Sequence, residues 1–192
     1  GITEFEEVMK KHFIDSVSLI KALDLKNREL SLVDIGTGAG FPGIPLKIAF
    51  PDLKVTLLDS LNKRIRFLDE VIMQLELENI NTIHGRAEDF AKPDKLREKY
   101  DICVSRAVAN LSTLSEYCLP FVKVGGTFIS MKGPNENPLD FESPVNILGG
   151  GICEIHSYSL ENDSRNIIKI SKISHTPTKY PRNSAQIKKK SL

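Results

Sequence analysis

The chain has 192 residues, 41% of them apolar, which is enough for one well-buried core and short for two independent ones. No apolar run approaches the ~20 residues of a membrane span, and no charged-then-apolar leader with a small-residue cleavage site is visible, so a cytoplasmic location without a membrane partner is expected. The net charge of +1 hides an asymmetry: residues 165–192 hold eight Lys/Arg and no Asp/Glu, against 18 Lys/Arg and 25 Asp/Glu before them, which suggests a polyanionic partner near the C-terminal end or, more simply, a solvated tail.

Residues 4–23 place Phe5, Val8, Met9, Phe13, Val17, Leu19 and Ile20 near a 3.6 period, predicting an amphipathic helix. From Leu32 short β-branched runs alternate with helical stretches: strand 32–36, helix 43–50, strand 54–59, helix 61–77 and strand 80–84. Strand 101–105, a helix around 111–122, strand 126–132, a helix near 138–148 and strands 152–160 and 166–173 follow. Such alternation specifies a parallel sheet covered on both faces. The last two strands are separated only by residues 161–165, too few for a parallel crossover, so they are expected to pair as an antiparallel hairpin. A seven-stranded, mostly parallel α/β sheet with an antiparallel C-terminal hairpin describes the Rossmann-like class I methyltransferase fold better than a plain dinucleotide-binding fold. Residues 1–174 are therefore read as one methyltransferase domain. Residues 175–192, with two prolines and little apolar content, are read as a basic, partly disordered tail.

Cys103, Cys118 and Cys153 are odd in number and lack CxxC spacing, and His12, His84, His156 and His175 are scattered. Neither a disulfide framework nor a metal is called for.

The chemistry concentrates at Leu32-Val33-Asp34-Ile35-Gly36-Thr37-Gly38-Ala39-Gly40-Phe41-Pro42-Gly43, a strand running into a helix through four glycines. Such a loop lets the backbone turn sharply and brings a ligand to the helix N-terminus at the carboxyl end of a strand. Gly38, Gly40 and Gly43 also satisfy the GxGxxG spacing of nicotinamide and flavin enzymes, so the loop alone does not choose its ligand. S-adenosylmethionine is favoured because the first glycine, Gly36, follows the strand directly, because Asp34 sets a carboxylate in the strand end, and because Phe41 and Pro42 would obstruct a pyrophosphate. Asp59 ends the second strand, where a carboxylate accepts from both ribose hydroxyls, or else caps the following helix. After the third strand, Arg86-Ala87-Glu88-Asp89 offers backbone at Ala87 and a carboxylate to an adenine ring. Helix capping by Glu88 or Asp89 is the plainer alternative.

Six segments together resemble the bacterial 16S ribosomal RNA guanine-N7 methyltransferases, the glucose-inhibited division protein B family. They are HFIDS at 12–16, VDIGTGAGFPGIPLKI at 33–48, TLLDSLNKR at 56–64, RAED at 86–89, SRAVANL at 105–111 and KYPR at 179–182. The resemblance implies cofactor contacts at Gly36, Phe41, Ala87, Glu88 and Arg106, with Gly38 in the same loop and Asp59 near the ribose. It implies methyl transfer from S-adenosylmethionine to a guanine N7 of small-subunit ribosomal RNA, as part of rRNA processing. It also implies a helical segment before HFIDS, so the N-terminal region is expected to be truncated here.

Ser105-Arg106-Ala107-Val108 stands where many amino-methylating enzymes carry Asn/Asp-Pro-Pro-aromatic, so amino methylation is not supported. Guanine N7 has an in-plane lone pair and no proton to lose. No catalytic general base is then required, and the task is alignment, with Arg106 positioning either the methionine carboxylate or the RNA. Ribosomal RNA, free or in an assembled subunit, demands phosphate neutralisation. The residues for it are Lys63, Arg64 and Arg66, then Lys132, Arg165, Lys179 and Arg182, with Lys132 and Arg182 favoured. Three other readings remain open: a methyltransferase of a small molecule or protein, an NAD-dependent oxidoreductase, and a non-catalytic RNA-binding scaffold. A monomer is expected.

Overall fold

The structure, a computed structural model, describes residues 9–25, 29–106, 109–132, 141–160 and 163–192. The expectations for residues 4–8, for the start of the helix near 138 and for 161–162 lie outside the described residues.

The strands are β1 (Ser31–Ile35), β2 (Lys54–Asp59), β3 (Ile80–His84), β4 (Tyr100–Ser105), β5 (Val122–Lys132), β6 (Gly150–Leu160) and β7 (Asp163–Lys172). Between and after them run helices α1 (Gly43–Ala49), α2 (Asn62–Gln74), α3 (Ala87–Phe90), α4 (Leu111–Cys118), α5 (Glu142–Ile147) and α6 (Ser184–Lys189). They form one seven-stranded sheet in the order β3-β2-β1-β4-β5-β7-β6. Strands β1 to β5 pair in parallel, and β7 pairs antiparallel with both β5 and β6. The chain order reverses between β1 and β4, and their carboxyl ends open on one edge of the sheet, where α/β folds hold ligands.

Strand period two sorts the core onto two faces. Val33, Leu58, Cys103, Phe128 and Ile168 face one layer, with α4 and α5 over them. Their neighbours in sequence, Leu32, Leu57, Ile102, Ile129 and Ile167, face the other, against Leu46 of α1 and Leu68 of α2. Both faces are covered, which is why β1 and β2 are buried along nearly their whole length. Phe128 has no exposed surface, and truncating it to Ala would cost about 3–5 kcal/mol.

Three expectations are corrected. β5 starts at Val122 and not at 126, because Gly125, at φ 87°, and Gly126 carry the strand through a register shift beside Tyr100. β7 starts at Asp163, so the hairpin is tighter than the sequence suggested. The N-terminal segment is helical over 9–21 but not one α-helix: Met9–Ile14 is a π-helix, Asp15–Val17 a single α turn and Ser18–Lys21 a 3-10 turn. Ser16 Oγ donates to the His12 carbonyl at 2.5 Å and Ser18 Oγ to the Asp15 carbonyl at 2.5 Å, side-chain bonds that compete with a regular ladder.

The segment 175–192, expected to be extended and partly disordered, packs onto the domain. Tyr180 and Ile187 are buried, and Asn183 and Gln186 form a reciprocal capping box at the start of α6. Arg97 donates to the Tyr180 carbonyl at 2.7 Å and to that of Pro177 at 3.2 Å, which ties the extended stretch down. Lys172, fully buried, donates to the carbonyls of Leu119 at 2.9 Å and Leu148 at 3.2 Å. Burial pulls its ammonium down to about 8 even with Glu98 3.4 Å away. Among the described residues no helix is long and apolar enough to cross a membrane.

Candidate cofactor site

The glycine loop is built by the strand it leaves. Gly36 and Thr37 donate backbone N–H groups to the Leu58 carbonyl at 2.9 and 3.2 Å, which peels the loop off β1 toward β2. Gly36 and Gly38 sit at φ 70° and 63°, and a Cβ at Gly36 would meet nothing within 4 Å. Backbone conformation and an open cleft, not packing, account for glycine there. Gly43 is different, since a Cβ would lie 2.4 Å from Leu57 and 3.0 Å from Asp34 Oδ2; here glycine lets α1 approach the sheet.

Asp34, fully buried, holds the loop through Oδ2, which accepts from Thr37 Oγ1 at 2.7 Å and the Gly43 N–H at 3.0 Å. Its Oδ1 meets no hydrogen-bond donor among the described residues. Burial lifts this carboxyl to about 6, with the Thr37 and Gly43 bonds opposing the rise.

Asp59 closes β2 with a carboxylate only 2% exposed. It accepts from the Gly38 N–H at 3.0 Å, the Leu61 N–H at 2.9 Å and Arg64 Nη1 at 3.1 Å. It thus joins the loop, the strand end and the entrance of α2. Glu88 is buried in the wall while Asp89 is exposed, and no side chain caps α3. Of the two acids, Glu88 is the one that faces the site.

These ends enclose a cleft of about 350 Å³, within the ~300–1,000 Å³ of small-molecule pockets. Gly36, Asp59, Ala87 and Glu88 line it together, as expected, and Ser105, Tyr117, Ser184 and Lys188 line it without having been foreseen. The first two of these follow from the strand order; Ser184 and Lys188 come from a segment with no local signal for it.

Phe41 and Arg106 are brought together beside Ser105 in a second group. Arg106 lies over the Phe41 ring, 5.2 Å from its centroid, and reaches His12 Nδ1 at 3.1 Å and Asp15 Oδ2 at 3.4 Å. His12 and Phe13 pack on the same ring at centroid distances of 5.0 and 5.2 Å. Because a guanidinium only donates, His12 Nδ1 accepts and its proton sits on Nε2. Burial and then Arg106 lower its basicity, keeping it neutral. Tyr158 completes the group by donating to Asp15 Oδ1 at 2.7 Å, across 143 residues of sequence that no local pattern could bridge.

The basic side chains fare differently. Lys63 is exposed on α2, and Arg64 is held by Asp59. Arg165 pairs with Asp163 at 3.1 Å and Asp15 at 3.8 Å. Lys132 is buried and donates to the Ala109 carbonyl, while Arg182 grips the fully buried Glu116 at 2.6 Å. The two favoured cations are thus internal ties. Among the described residues no group of three or more His, Cys, Asp or Glu could hold a metal ion.

The reversal of strand order beside β1, the glycine loop at that point and the closing antiparallel hairpin together define a class I methyltransferase architecture. A solved S-adenosylmethionine-dependent methyltransferase from Aquifex aeolicus shares this fold, with a TM-score of 0.61 at 14% identity over 85% of this chain and 92% of that one.

The match becomes specific at the level of sequence. The family model for rRNA small subunit methyltransferase G covers residues 1–140, and the chain belongs to that family. It is 49% identical to the ribosomal RNA small subunit methyltransferase G of Clostridium kluyveri, over 100% of this chain and 81% of that protein. With the protein of the same name from Acetivibrio thermocellus it shares 53% identity, over 100% of this chain and 80% of that one.

Proposed function

We infer that the chain transfers the methyl group of S-adenosylmethionine to N7 of a guanine in 16S ribosomal RNA, within or on the way to a small ribosomal subunit. The observation that carries this reading is an open cleft at the β1 loop in a chain about half identical, over its whole length, to proteins named for methylating small-subunit rRNA.

The residues present suit that cofactor. Bound, it supplies an electrophilic methyl on a sulfonium. The Asp59 carboxylate is placed to accept from ribose hydroxyls once Arg64 swings aside, the Ala87 backbone and Glu88 to meet adenine, and the Gly36–Gly38 backbone to lie along the amino-acid part. Arg106, set over the Phe41 ring, has a planar fork that suits a carboxylate or a purine edge. No group in this arrangement needs to remove a proton, since N7 attacks through its own lone pair and the work is alignment. Neutral His12 agrees with that, acting as a ring wall and an acceptor for Arg106.

RNA phosphates would meet Lys63 and, less directly, Arg64 and Arg165. Lys132 and Arg182 act on the RNA only through the loops they hold. The protein acts as a monomer in the cytoplasm on this reading.

The test is transfer of labelled methyl to small ribosomal subunits that lack the modification, with mass mapping of the product nucleotide. 7-Methylguanosine at one position is the expected result. S-adenosylhomocysteine binding without any transfer to subunits or their RNA would instead favour a small-molecule or protein acceptor.

A further inference from the structure

We propose that the C-terminal segment is a wall of the cofactor site itself, with Ser184 and Lys188 contacting the adenosine end of the bound cofactor. This rests on the cofactor reading above and extends it to residues beyond the 1–140 span of the family match.

Ser184 and Lys188 are one helical turn apart on α6, so both project from one face, and both line the same cleft as Asp59 and Glu88. Tyr117 of α4 is another lining residue, so α6 and α4 both contribute to this wall. Six residues of helix do not persist alone in water, so something must hold this wall in place. Three anchors do. Arg182 just before the helix grips Glu116 with bonds of 2.9 and 2.6 Å, Ile187 buries its side chain beside the two cleft residues, and Ser112 Oγ donates to the Leu192 carbonyl at 2.9 Å after the helix. The anchors surround the two cleft residues and leave them facing open volume.

The chemistry fits adenosine. A hydroxyl and an ammonium are donors, and the adenine ring nitrogens and ribose oxygens are acceptors, while the acceptors Asp59 and Glu88 stand among the other walls to take the donor hydrogens. The lysine run is thereby divided: all three side chains are exposed, but Lys188 lines the cleft and Lys189 and Lys190 do not.

Calorimetric titration of S-adenosylhomocysteine tests this with the full chain and with Lys188→Ala, Ser184→Ala and, as a control, Lys189→Ala, each first checked for an unchanged melting temperature. Loss of one donor should raise Kd roughly 3- to 10-fold for the first two, and the control should match the parent. In parallel, saturating S-adenosylhomocysteine should slow tryptic cleavage at Lys188 in the parent chain. If the parent binds and both cleft variants bind equally well with no protection of Lys188, the wall is only structural and the proposal is overturned. If the parent itself does not bind S-adenosylhomocysteine, the cofactor reading fails, and this proposal with it.

Discussion

Arg182→Ala separates two roles for one residue, because sequence reasoning placed Arg182 on RNA and the structure places it on Glu116. Glu116 has no exposed side-chain surface, and Arg182 is 22% exposed. The carboxylate accepts from the Arg182 backbone N–H at 2.8 Å, from Nε at 2.9 Å and from Nη2 at 2.6 Å. Alanine keeps only the backbone bond and strands a buried charge on α4. Breaking a buried pair by removing one partner costs about 3–5 kcal/mol, and the lower end applies because Arg182 sits near the surface. At roughly 2–4 °C per kcal/mol for a domain of this size, the melting temperature should fall by about 6–12 °C. Circular dichroism melts and urea titration would read it. Replacing both partners, as Glu116→Leu with Arg182→Met, should recover at least about half the loss, since no buried charge is left unpaired. A melting temperature within about 1 °C of the parent, with a salt slope of RNA binding shallower by about one, would refute the reasoning and return Arg182 to the RNA.

Three further outcomes follow from single sites. Asp34, raised to about 6 in the fold, contributes stability that is present below its ordinary carboxylate value and is lost as pH rises through about 6. The stability of the parent relative to Asp34→Asn should therefore drop by up to about 3 kcal/mol between acid and neutral pH in urea titrations, and a flat difference would contradict it. Gly43→Ala forces a methyl to within 2.4 Å of Leu57, so α1 must shift off the sheet; a loss of about 1–3 kcal/mol is expected in the same assay, against none if the helix slides freely. Arg106→Lys keeps the charge but loses the guanidinium set over Phe41 and the reach to both His12 and Asp15. Methyl transfer should fall about tenfold or more in kcat/KM with little change in melting temperature, and an unchanged rate would remove Arg106 from the alignment role.

The parts of the molecule that were legible in sequence are those whose signal is local. β2 and β3 fall where the apolar runs put them, residues 54–59 and 80–84, and the glycine loop lies where strand and helix patterns meet. Gly36, Asp59, Ala87 and Glu88 converge because all follow parallel strands, and the strand alternation alone implies a shared edge. What escaped depends on contacts across the chain. The end of the chain looks too polar to fold by itself, and its order comes from Tyr180 and Ile187 entering a core made by other segments and from an acid on α4. The start of β5 was hidden by Gly125, whose φ of 87° sits within a strand through a register shift. His12 and Asp15 were visible only as part of a resembling string, because their partners Arg106 and Tyr158 are some ninety and more residues away.

The charge asymmetry also changes meaning once the partners are known. Of the eight cations after residue 164, Arg165, Lys169, Lys172 and Arg182 pair with Asp15 or Asp163, Glu154, Glu98 and Glu116, acids drawn from the rest of the chain. An excess of one sign in a segment measures a field at its surface only when the segment stands apart from the rest, and this one is folded onto the acidic body. Half of the apparent polyanion signal is thus internal neutralisation, and Lys188 belongs to the cofactor cleft on the proposal above. Lys179, Lys189 and Lys190 remain as the outward charge of the tail, and they are too few to carry ribosomal RNA binding by charge alone. Family membership and the cleft therefore bear the functional argument, and the salt slope of RNA binding should be correspondingly shallow, near the count of a few phosphates.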